Sequence, residues 1–166
     1  MEIKKVGSSE AEKVYEVFSS VLKDGFPEYS PRLIKFFLTK DFPLSSWRKK
    51  LEGNKITVFS AYDGGRVVGI LVADKLYGGV SYCTWLGVLK EFRGRGIGRK
   101  LVEKWEKEIK KIGGHKLMLI TQEETNRGFY KKLRFNEEGF EEKSWFGLDC
   151  WKFGKIIGEP NLVKYF

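Results

Sequence analysis

A glycine-rich segment, residues 88–99, reads Val88-Leu89-Lys90-Glu91-Phe92-Arg93-Gly94-Arg95-Gly96-Ile97-Gly98-Arg99. It joins the end of a predicted strand to the start of a predicted amphipathic helix. Its three glycines leave the backbone unshielded, and they permit the positive φ angles that point successive N–H groups at one spot. The helix N-terminus adds unpaired N–H groups and the positive end of its dipole, and three arginines add mobile positive charge. The segment therefore predicts a binding site for a pyrophosphate.

Two other phosphate-binding motifs do not fit this segment. A P-loop needs a Gly-Lys-Ser or Gly-Lys-Thr sequence, which does not follow here. A Rossmann fingerprint needs a parallel sheet that begins upstream, whereas the preceding strands read as an antiparallel meander. Taken by itself, the segment leaves one alternative open, which is a flexible turn.

The meander lies directly upstream of the glycine-rich segment. Strand patterns cover residues 56–62, 66–76 and 80–89. Asp63-Gly64-Gly65 indicates a tight hairpin turn between the first two strands, and Gly78-Gly79 indicates the next turn. We expect these three strands to be antiparallel neighbours.

Helical patterns precede the meander. A short strand at residues 1–6 is followed by Ser9-Glu10-Ala11-Glu12, a capping box that predicts the start of a helix. Ser30-Pro31 predicts the start of a second helix. Ser45 or Ser46 is expected to cap a further short helix that continues through residues 47–51.

The remaining elements follow the glycine-rich segment. Residues 97–112 have helical spacing, and Gly113-Gly114 ends that helix in the manner of a left-handed cap. The rest of the chain reads as a strand at 116–121, a helix at 125–133 and a hairpin at 136–145 and 148–156. This order predicts an α/β (α+β) fold with a central mixed, mostly antiparallel sheet and helices on both faces. We expect a right-handed crossover from strand 80–89 to strand 116–121, and a single domain over residues 1–166.

The composition limits the class of protein. The chain has 166 residues, a net charge of +9, one histidine and two cysteines, Cys83 and Cys150. A structural zinc needs about four clustered ligands, so we expect no metal and two reduced, buried thiols. No apolar run reaches the length of about 18 residues that a membrane-spanning helix needs, and no signal-peptide pattern is present. We therefore expect a cytoplasmic protein without a membrane partner.

The basic charge leaves three interpretations open, namely a nucleic-acid partner, a phosphate-bearing cofactor and an ordinary solvated surface. Glutamates are interleaved with the basic residues along the chain, and no RNA- or DNA-binding motif appears. These two observations argue against nucleic acid.

Two motifs carry a resemblance to a known family. Arg93-x-x-Gly96-x-Gly98 resembles the pyrophosphate motif of the GNAT superfamily of acetyl-CoA-dependent N-acetyltransferases. Leu86-Gly87-Val88 ends the preceding strand as in that family, and residues 129–135 are similar to its segment of Phe-Tyr, a basic stretch and Gly-Phe. One helix and one strand separate the two motifs, as the family has them. The resemblance implies a GNAT-like fold over nearly the whole chain.

The resemblance also implies an activity and a set of site residues. Family members transfer an acetyl group from acetyl-CoA to a primary amine, usually by direct attack in a ternary complex, so acetyl-CoA and an amine acceptor are the implied partners. A backbone N–H near Val88 is implied to polarise the thioester carbonyl. Tyr130 is the implied general acid, because a tyrosine with a pKa of about 10 is protonated at neutral pH. The residues implied to contact the cofactor are Leu86, Gly87, Val88, Arg93, Gly94, Arg95, Gly96, Ile97, Gly98, Arg99, Asn126 and Tyr130.

The sequence departs from the family at three points. Many members carry a carboxylate on the strand equivalent to 80–89, and this strand has none. Glu123 is therefore a candidate base through a water, with Glu124 beside it, although surface glutamates are the plainer interpretation. Arg134 replaces the glycine that usually precedes the phenylalanine. Asn126 resembles a family asparagine near the CoA arm but lies only four residues before Tyr130, closer than usual.

The acceptor is not identified by the sequence. Trp85, Trp145 and Trp151 lie on strands that border the acceptor side in this fold, and Trp47 lies in a region that usually roofs it. These tryptophans fit either an aromatic pocket for an amine or ordinary core packing. Four glutamates near the chain's end fit either attraction of a cationic acceptor or an exposed charged strand, and they are Glu137, Glu138, Glu141 and Glu142.

Three functions follow from these patterns. An N-acetyltransferase is the function that the motifs favour. A non-catalytic acyl-CoA-binding sensor of the same fold is the alternative that the missing strand carboxylate favours, and a basic nucleic-acid-binding domain is the alternative that net charge alone favours. A homodimer is compatible with the sequence.

Overall fold

The computed structural model describes residues 1–165, and the chain divides into two compact units. The first unit is Met1–Lys75 with Trp85–Trp105, and the second is Leu76–Thr84 with Glu106–Phe166. Phe166 itself lies outside the described residues. The expectation of a single domain over residues 1–166 stays a prediction.

The strands form a sheet in the order β1-β2-β3-β4-β5-β7-β6. Their bounds are β1 Glu2–Lys5, β2 Ile56–Asp63, β3 Arg66–Asp74, β4 Val80–Val88, β5 Lys116–Thr121, β6 Asn136–Glu141 and β7 Cys150–Ile156. The β4–β5 pair is parallel, whereas the β1–β2, β2–β3, β5–β7 and β6–β7 pairs are antiparallel. The predicted mixed, mostly antiparallel sheet is therefore confirmed.

Five α-helices accompany these strands in the described part of the chain. Their bounds are α1 Ala11–Gly25, α2 Pro31–Phe36, α3 Leu44–Glu52, α4 Ile97–Lys111 and α5 Asn126–Lys132. A π-helical turn, Phe37–Asp41, continues from α2. The alternation of helices with strands confirms the predicted α/β class.

The helix starts were predicted with mixed success. The Ser30 hydroxyl accepts a hydrogen bond from the Leu33 N–H, as an N-cap should, and α2 follows it. The capping box at Ser9 is wrong, because the chain enters α1 through a 3₁₀ turn, Ser8–Glu10, and Glu12 of the box accepts a hydrogen bond from Arg48 instead. The cap at Ser45 or Ser46 is also wrong, since α3 already begins at Leu44.

In the first unit, β3 is covered on both faces. Its residues from Val67 to Ala73 are all buried. α1 packs against β3, and a Cβ at Gly69 would lie 3.2 Å from Ile97 and 3.3 Å from Leu101 of α4. Gly64 and Gly65 at the β2–β3 turn have φ angles of 55° and 82°, which confirms the tight hairpin turn.

In the second unit, β4 and β5 run side by side from the pair Val80 and Lys116 to the pair Cys83 and Leu119. Gly113, with φ of 89°, confirms the left-handed end of the helix that precedes β5. The closing hairpin is shorter than expected, because β6 ends at Glu141 and Trp145–Gly147 forms a 3₁₀ turn. Phe146 in that turn has φ of 53° and so cannot continue a strand.

Two further expectations can be compared with the described residues. Cys83 and Cys150 are buried thiols, as predicted. Among residues 1–165, no helix has the length and apolar character needed to cross a membrane.

Candidate functional site

The glycine-rich segment forms a sharp connection between β4 and α4 within the first unit. After Val88 the chain makes a 3₁₀ turn, Lys90–Phe92, and α4 begins at Ile97. Gly94 and Gly96 both have φ of 75°, and a Cβ at either position would meet nothing within 4 Å. The glycines are therefore required by backbone angle and not by crowding. Gly98 differs from the prediction, because it lies in the first turn of α4 and not in the left-handed region.

This connection has the backbone chemistry of an anion site. The Lys100 N–H donates to the Gly96 carbonyl, which is the first hydrogen bond of α4. The N–H groups of the preceding residues have no intrahelical acceptor and carry the positive end of the helix dipole. An oxygen-rich, negatively charged group such as a pyrophosphate is the ligand that this arrangement favours.

Arg93 is fixed in place, whereas the sequence suggested a mobile charge. Its Nε donates to the Val88 carbonyl at 3.0 Å, and its Nη1 lies 3.5 Å from the Asp24 carbonyl oxygen. Asp24 is in the last turn of α1, where a guanidinium interacts favourably with the helix dipole. A Cβ at Gly25 would lie 3.1 Å from Nη2 of Arg93, so this glycine leaves room for the guanidinium. Arg93 therefore braces the segment against α1.

The other two arginines differ from each other. Arg95 donates from Nη2 to the Glu91 carbonyl at 3.1 Å, and its guanidinium lies 5.1 Å from the centre of the Phe92 ring. Arg99 is exposed on the first turn of α4. Of the three predicted positive charges, Arg99 is the one best placed to move toward a ligand phosphate.

Gly87, near the end of β4, has a packing role that the sequence did not reveal. A Cβ at Gly87 would overlap Cγ1 of Val21 on α1. The glycine thus lets α1 approach the end of β4, next to Leu86 and Val88. Packing against α1 therefore requires a glycine at position 87, independently of the predicted role of Gly87 beside the cofactor arm.

Tyr130 lies on α5 in the second unit and is only 7% exposed. Its ring packs against Phe129, Phe135 and Phe153, with centroid distances of 5.1, 5.9 and 5.5 Å. Burial is the main cause that raises the pKa of Tyr130 far above its usual range, and the charges of Cys83 and Glu123 raise it further. Tyr130 therefore stays protonated at neutral pH, and burial makes its hydroxyl a weaker acid than that of an exposed tyrosine.

Glu123 follows β5 and is held by two side chains. Thr125 donates from Oγ1 to one carboxylate oxygen at 2.6 Å, and Asn126 donates from Nδ2 to the other at 3.2 Å. The residue is half-buried, and its charge reaches Tyr130. The structure therefore brings the candidate base and the candidate acid into one neighbourhood of the second unit. By contrast, Glu124 is exposed and pairs with Arg127 at 3.0 Å.

The turn after α5 forms despite the unusual Arg134. Arg134 has φ of 64°, and the Phe135 N–H donates to the Tyr130 carbonyl at 3.1 Å. This is the left-handed helix end that glycine usually provides. Arg134 adopts the left-handed conformation at some cost in backbone strain. The helix that carries Tyr130 therefore ends as it would with a glycine at this position.

For two of the four tryptophans the structure decides between an aromatic pocket and core packing. Trp47 and Trp85 are 1% and 6% exposed, and both pack against Phe18 in the core of the first unit, with centroid distances of 4.8 and 5.3 Å. Core packing is therefore their role. Trp145 and Trp151 in the second unit are half-buried, and the Arg127 guanidinium lies 5.6 Å from the centre of the Trp151 ring.

Each of the four glutamates near the chain's end contacts a basic side chain. The shortest pairs join Glu137 to Lys131 at 3.0 Å, Glu138 to Lys116 at 2.8 Å, Glu141 to Lys152 at 2.6 Å and Glu142 to Lys143 at 4.0 Å. Local pairing balances these charges, which favours the interpretation of an exposed charged strand. Among residues 1–165, no group of three or more metal-ligating side chains is arranged to hold an ion.

Sequence reasoning missed two parts of the site. The position of the Arg93 side chain depends on Asp24 and Gly25, which lie far upstream. The glycine at the end of α1 is the one sequence feature that could have indicated this contact. The hydrogen bonds around Glu123 depend on Thr121 and Thr125, whose hydroxyls lie within a few residues. A carboxylate flanked by Thr and Asn is a pattern that could have indicated local pairing.

Three comparisons with known proteins show what this chain is similar to. The model of the Acetyltransferase (GNAT) family matches residues 13–135. An uncharacterised N-acetyltransferase of Chlorobaculum tepidum is 41% identical over 84 residues, which cover 48% of this chain and 51% of that protein. An acetyltransferase of Pectobacterium atrosepticum is 31% identical over 107 residues, which cover 63% of this chain and 59% of that protein. The chain spans between about half and three fifths of the length of these two relatives.

A solved structure shows the same fold. The PaiA N-acetyltransferase of Thermoplasma acidophilum, determined in complex with coenzyme A, superposes with a TM-score of 0.73. The two are 19% identical, and the match covers 94% of this chain and 99% of that one. At this identity the likeness concerns the fold alone.

Proposed function

Because the chain belongs to the GNAT acetyltransferase family, whose model matches residues 13–135, we propose that it transfers an acetyl group from acetyl-CoA to a primary amine. The transfer proceeds by direct attack in a ternary complex. The observation that carries the proposal is the pair of left-handed glycines, Gly94 and Gly96, directly before the N-terminus of α4. This arrangement is suited to the pyrophosphate of a CoA thioester.

The cofactor is proposed to bind mainly through backbone groups. Residues 94–99 supply N–H groups to the pyrophosphate, and Arg99 adds a positive charge. Arg93 and Arg95 act through the shape of the connection, because their guanidinium groups bond to carbonyls of Val88 and Glu91. Residues 86–88 supply the strand end along which the pantetheine arm extends, and an N–H near Val88 polarises the thioester carbonyl.

The reaction needs one proton acceptor and one proton donor. An amine is mostly protonated at neutral pH, so a water-bridged Glu123 removes a proton from the ammonium group. The amine nitrogen then attacks the thioester carbon, and the C–S bond breaks as the new C–N bond forms. Tyr130 gives its hydroxyl proton to the departing CoA sulfur. The second proton of the acceptor nitrogen, lost after attack, restores Tyr130, and the proton held by Glu123 passes to solvent.

A turnover assay tests this proposal. Release of CoA thiol from acetyl-CoA is measured with a panel of small amines, amino acids and peptide N-termini, and products are identified by mass. Wild-type protein is compared with Gly96→Glu and with the matched control Gly65→Glu. Both glycines have left-handed φ angles, 75° and 82°, and open space around them, so both variants carry similar backbone strain. Only Gly96→Glu places a negative charge in the phosphate site.

The proposal expects acetylated amine from wild type and Gly65→Glu, and loss of at least about 100-fold from Gly96→Glu, because juxtaposed like charges cost several kcal/mol. Equal activity of the two variants would remove the glycine-rich segment from the mechanism. A wild-type protein that binds acetyl-CoA but acetylates no amine would favour the acyl-CoA-binding sensor. Cytoplasmic location and a homodimer stay predictions of the sequence.

A further inference from the structure

A compact hydrogen-bond network lies between the end of β5 and the start of α5. The Thr121 hydroxyl accepts from the Glu123 N–H at 3.3 Å, and Asn126 donates from Nδ2 to Thr121 at 3.3 Å. The Asn126 N–H also donates to the Glu123 carbonyl at 3.1 Å. With the two bonds to the Glu123 carboxylate, this network fixes both the backbone and the side chain of Glu123.

The Asn126 amide is fully used as a donor inside this network. An amide nitrogen has two hydrogens, and here they are directed at Thr121 Oγ1 and at a carboxylate oxygen of Glu123. α5 begins at Asn126 itself and carries Tyr130 one turn later, so the backbone of the asparagine is fixed relative to the tyrosine. The structure therefore gives the Asn126 donor group two acceptors within the protein.

Thr125 complements Asn126 on the opposite oxygen. Its hydroxyl is 2.6 Å from one carboxylate oxygen, while the asparagine holds the other at 3.2 Å. A carboxylate with one donor on each oxygen loses the rotation about its last bond, so its remaining lone pairs point in set directions. A base that must reach a proton through one water depends on such a fixed orientation, because the water is located by the lone pair it approaches.

We propose that Thr125 and Asn126 are positioning residues that orient the Glu123 carboxylate for proton removal from the acceptor amine. The inference rests on the proposed acetyl transfer and deepens it. It assigns Asn126 to the base, whereas the family resemblance alone would assign it to the cofactor. The geometry that carries it is the pair of hydrogen bonds to opposite oxygens of one half-buried carboxylate in the unit that holds Tyr130.

A double-mutant cycle in the full chain tests the inference. The variants are Glu123→Gln, Thr125→Val and Asn126→Ala, each singly, and the two positioning variants again on the Glu123→Gln background. Thr125→Ser, which keeps the hydroxyl, is the conservative control. Turnover is measured at saturating acetyl-CoA with the best amine of the panel, acetyl-CoA affinity is measured by calorimetry, and thermal unfolding reports folding.

The inference expects Glu123→Gln to lower kcat by about 100-fold, a typical contribution of a general base. Thr125→Val and Asn126→Ala are expected to lower kcat by about 10-fold each in wild type and to have no further effect in Glu123→Gln, since coupled residues are not additive. Acetyl-CoA affinity stays unchanged in all variants, and Thr125→Ser recovers most of the lost turnover.

Three results would overturn it. A weaker acetyl-CoA affinity in Asn126→Ala, with kcat unchanged, would return the asparagine to the cofactor. Equal losses from Thr125→Val in both backgrounds would make the threonine purely structural. Wild-type protein without turnover would overturn the proposed function together with this inference. The first two results both require an active wild-type protein, so they overturn the inference alone.

Discussion

The glycine-rich segment and the polar segment of residues 121–130 use different parts of the chain, because the first is suited to binding an anion and the second to moving protons. The first presents backbone N–H groups, so its requirements are backbone angles, and Gly94 and Gly96 at φ of 75° meet them. The second presents side chains, so its requirements are burial and hydrogen bonds, as at Tyr130 and Glu123. A backbone site leaves a local signature in the sequence, whereas a side-chain site depends on partners that the fold assembles.

The largest effect that separates the two segments is expected at Tyr130. Tyr130→Phe removes the proposed acid but keeps the ring that packs against Phe129, Phe135 and Phe153. We expect turnover to fall by about 100-fold or more while acetyl-CoA affinity is unchanged. Steady-state kinetics with calorimetry on the same preparation measures both, and unaltered turnover with chemistry limiting would take Tyr130 out of the mechanism.

A second prediction concerns the packing glycine beside the backbone site. Gly87→Ala places a methyl group against Val21, and overpacking of this kind costs about 1–3 kcal/mol. Adding Val21→Ala should recover part of the loss, because it empties the space that the new methyl group needs. Urea unfolding of the two single variants and the double variant measures the free energies. Additive losses in the double variant would contradict the close contact between α1 and the end of β4.

The raised pKa of Tyr130 gives a pH prediction for the side-chain segment. Its pKa is higher in the folded than in the unfolded protein, chiefly through burial, so its contribution is constant below about pH 10 and is lost as pH rises further. At about pH 11 the loss is on the order of 1 kcal/mol. Tyr130→Phe should therefore lose less stability than wild type between about pH 9 and 11. Parallel stability curves for the two proteins would show that Tyr130 is solvated.

Arg93 and Arg99 allow a matched comparison within the backbone segment. Arg93→Gln breaks the bonds to the Val88 and Asp24 carbonyls and should lower unfolding free energy by about 1 kcal/mol. Arg99→Gln should leave stability unchanged and weaken acetyl-CoA binding by about threefold, the usual effect of one exposed charge. Urea unfolding and calorimetry on both variants measure the contrast. The opposite pattern would mean that Arg99 braces the segment and Arg93 binds the phosphate.

The smallest effect is expected at the end of α5. Arg134→Gly relieves a left-handed φ of 64° and should raise stability by up to about 1 kcal/mol, with turnover unchanged. Thermal unfolding measures it. A destabilised Arg134→Gly variant would mean that the arginine side chain makes a contact that outweighs its backbone strain.

The sequence predicted those features whose causes lie within a few residues. Gly94, Gly96 and Gly113 were identified because a left-handed angle needs a glycine nearby, and Ser30 because a cap bonds within one turn. The resemblance to the family indicated Tyr130, which the structure buries, and its role as a general acid stays a prediction.

The features that the sequence did not predict depend on contacts between distant residues. Trp47 and Trp85 fitted either an aromatic pocket or core packing, and the sequence could not decide because Phe18 of α1, which packs with both of them in the core, is distant along the chain. Arg93 was expected to be mobile, but its partner Asp24 is brought to it by the fold. Ser9 has the spacing of a cap, yet it lies in a 3₁₀ turn and its predicted partner Glu12 pairs with the distant Arg48. Tertiary contacts overrode local preference in each case.

The most direct test of the central claim is calorimetric titration of acetyl-CoA into the wild-type protein, Gly96→Glu and Gly65→Glu, with CoA and ATP as comparison ligands. The account predicts micromolar binding of acetyl-CoA to wild type and Gly65→Glu, weaker binding of ATP, and loss of binding in folded Gly96→Glu. Unchanged affinity in folded Gly96→Glu, or no binding of acetyl-CoA to the wild type, would contradict the assignment of residues 94–99 to the cofactor.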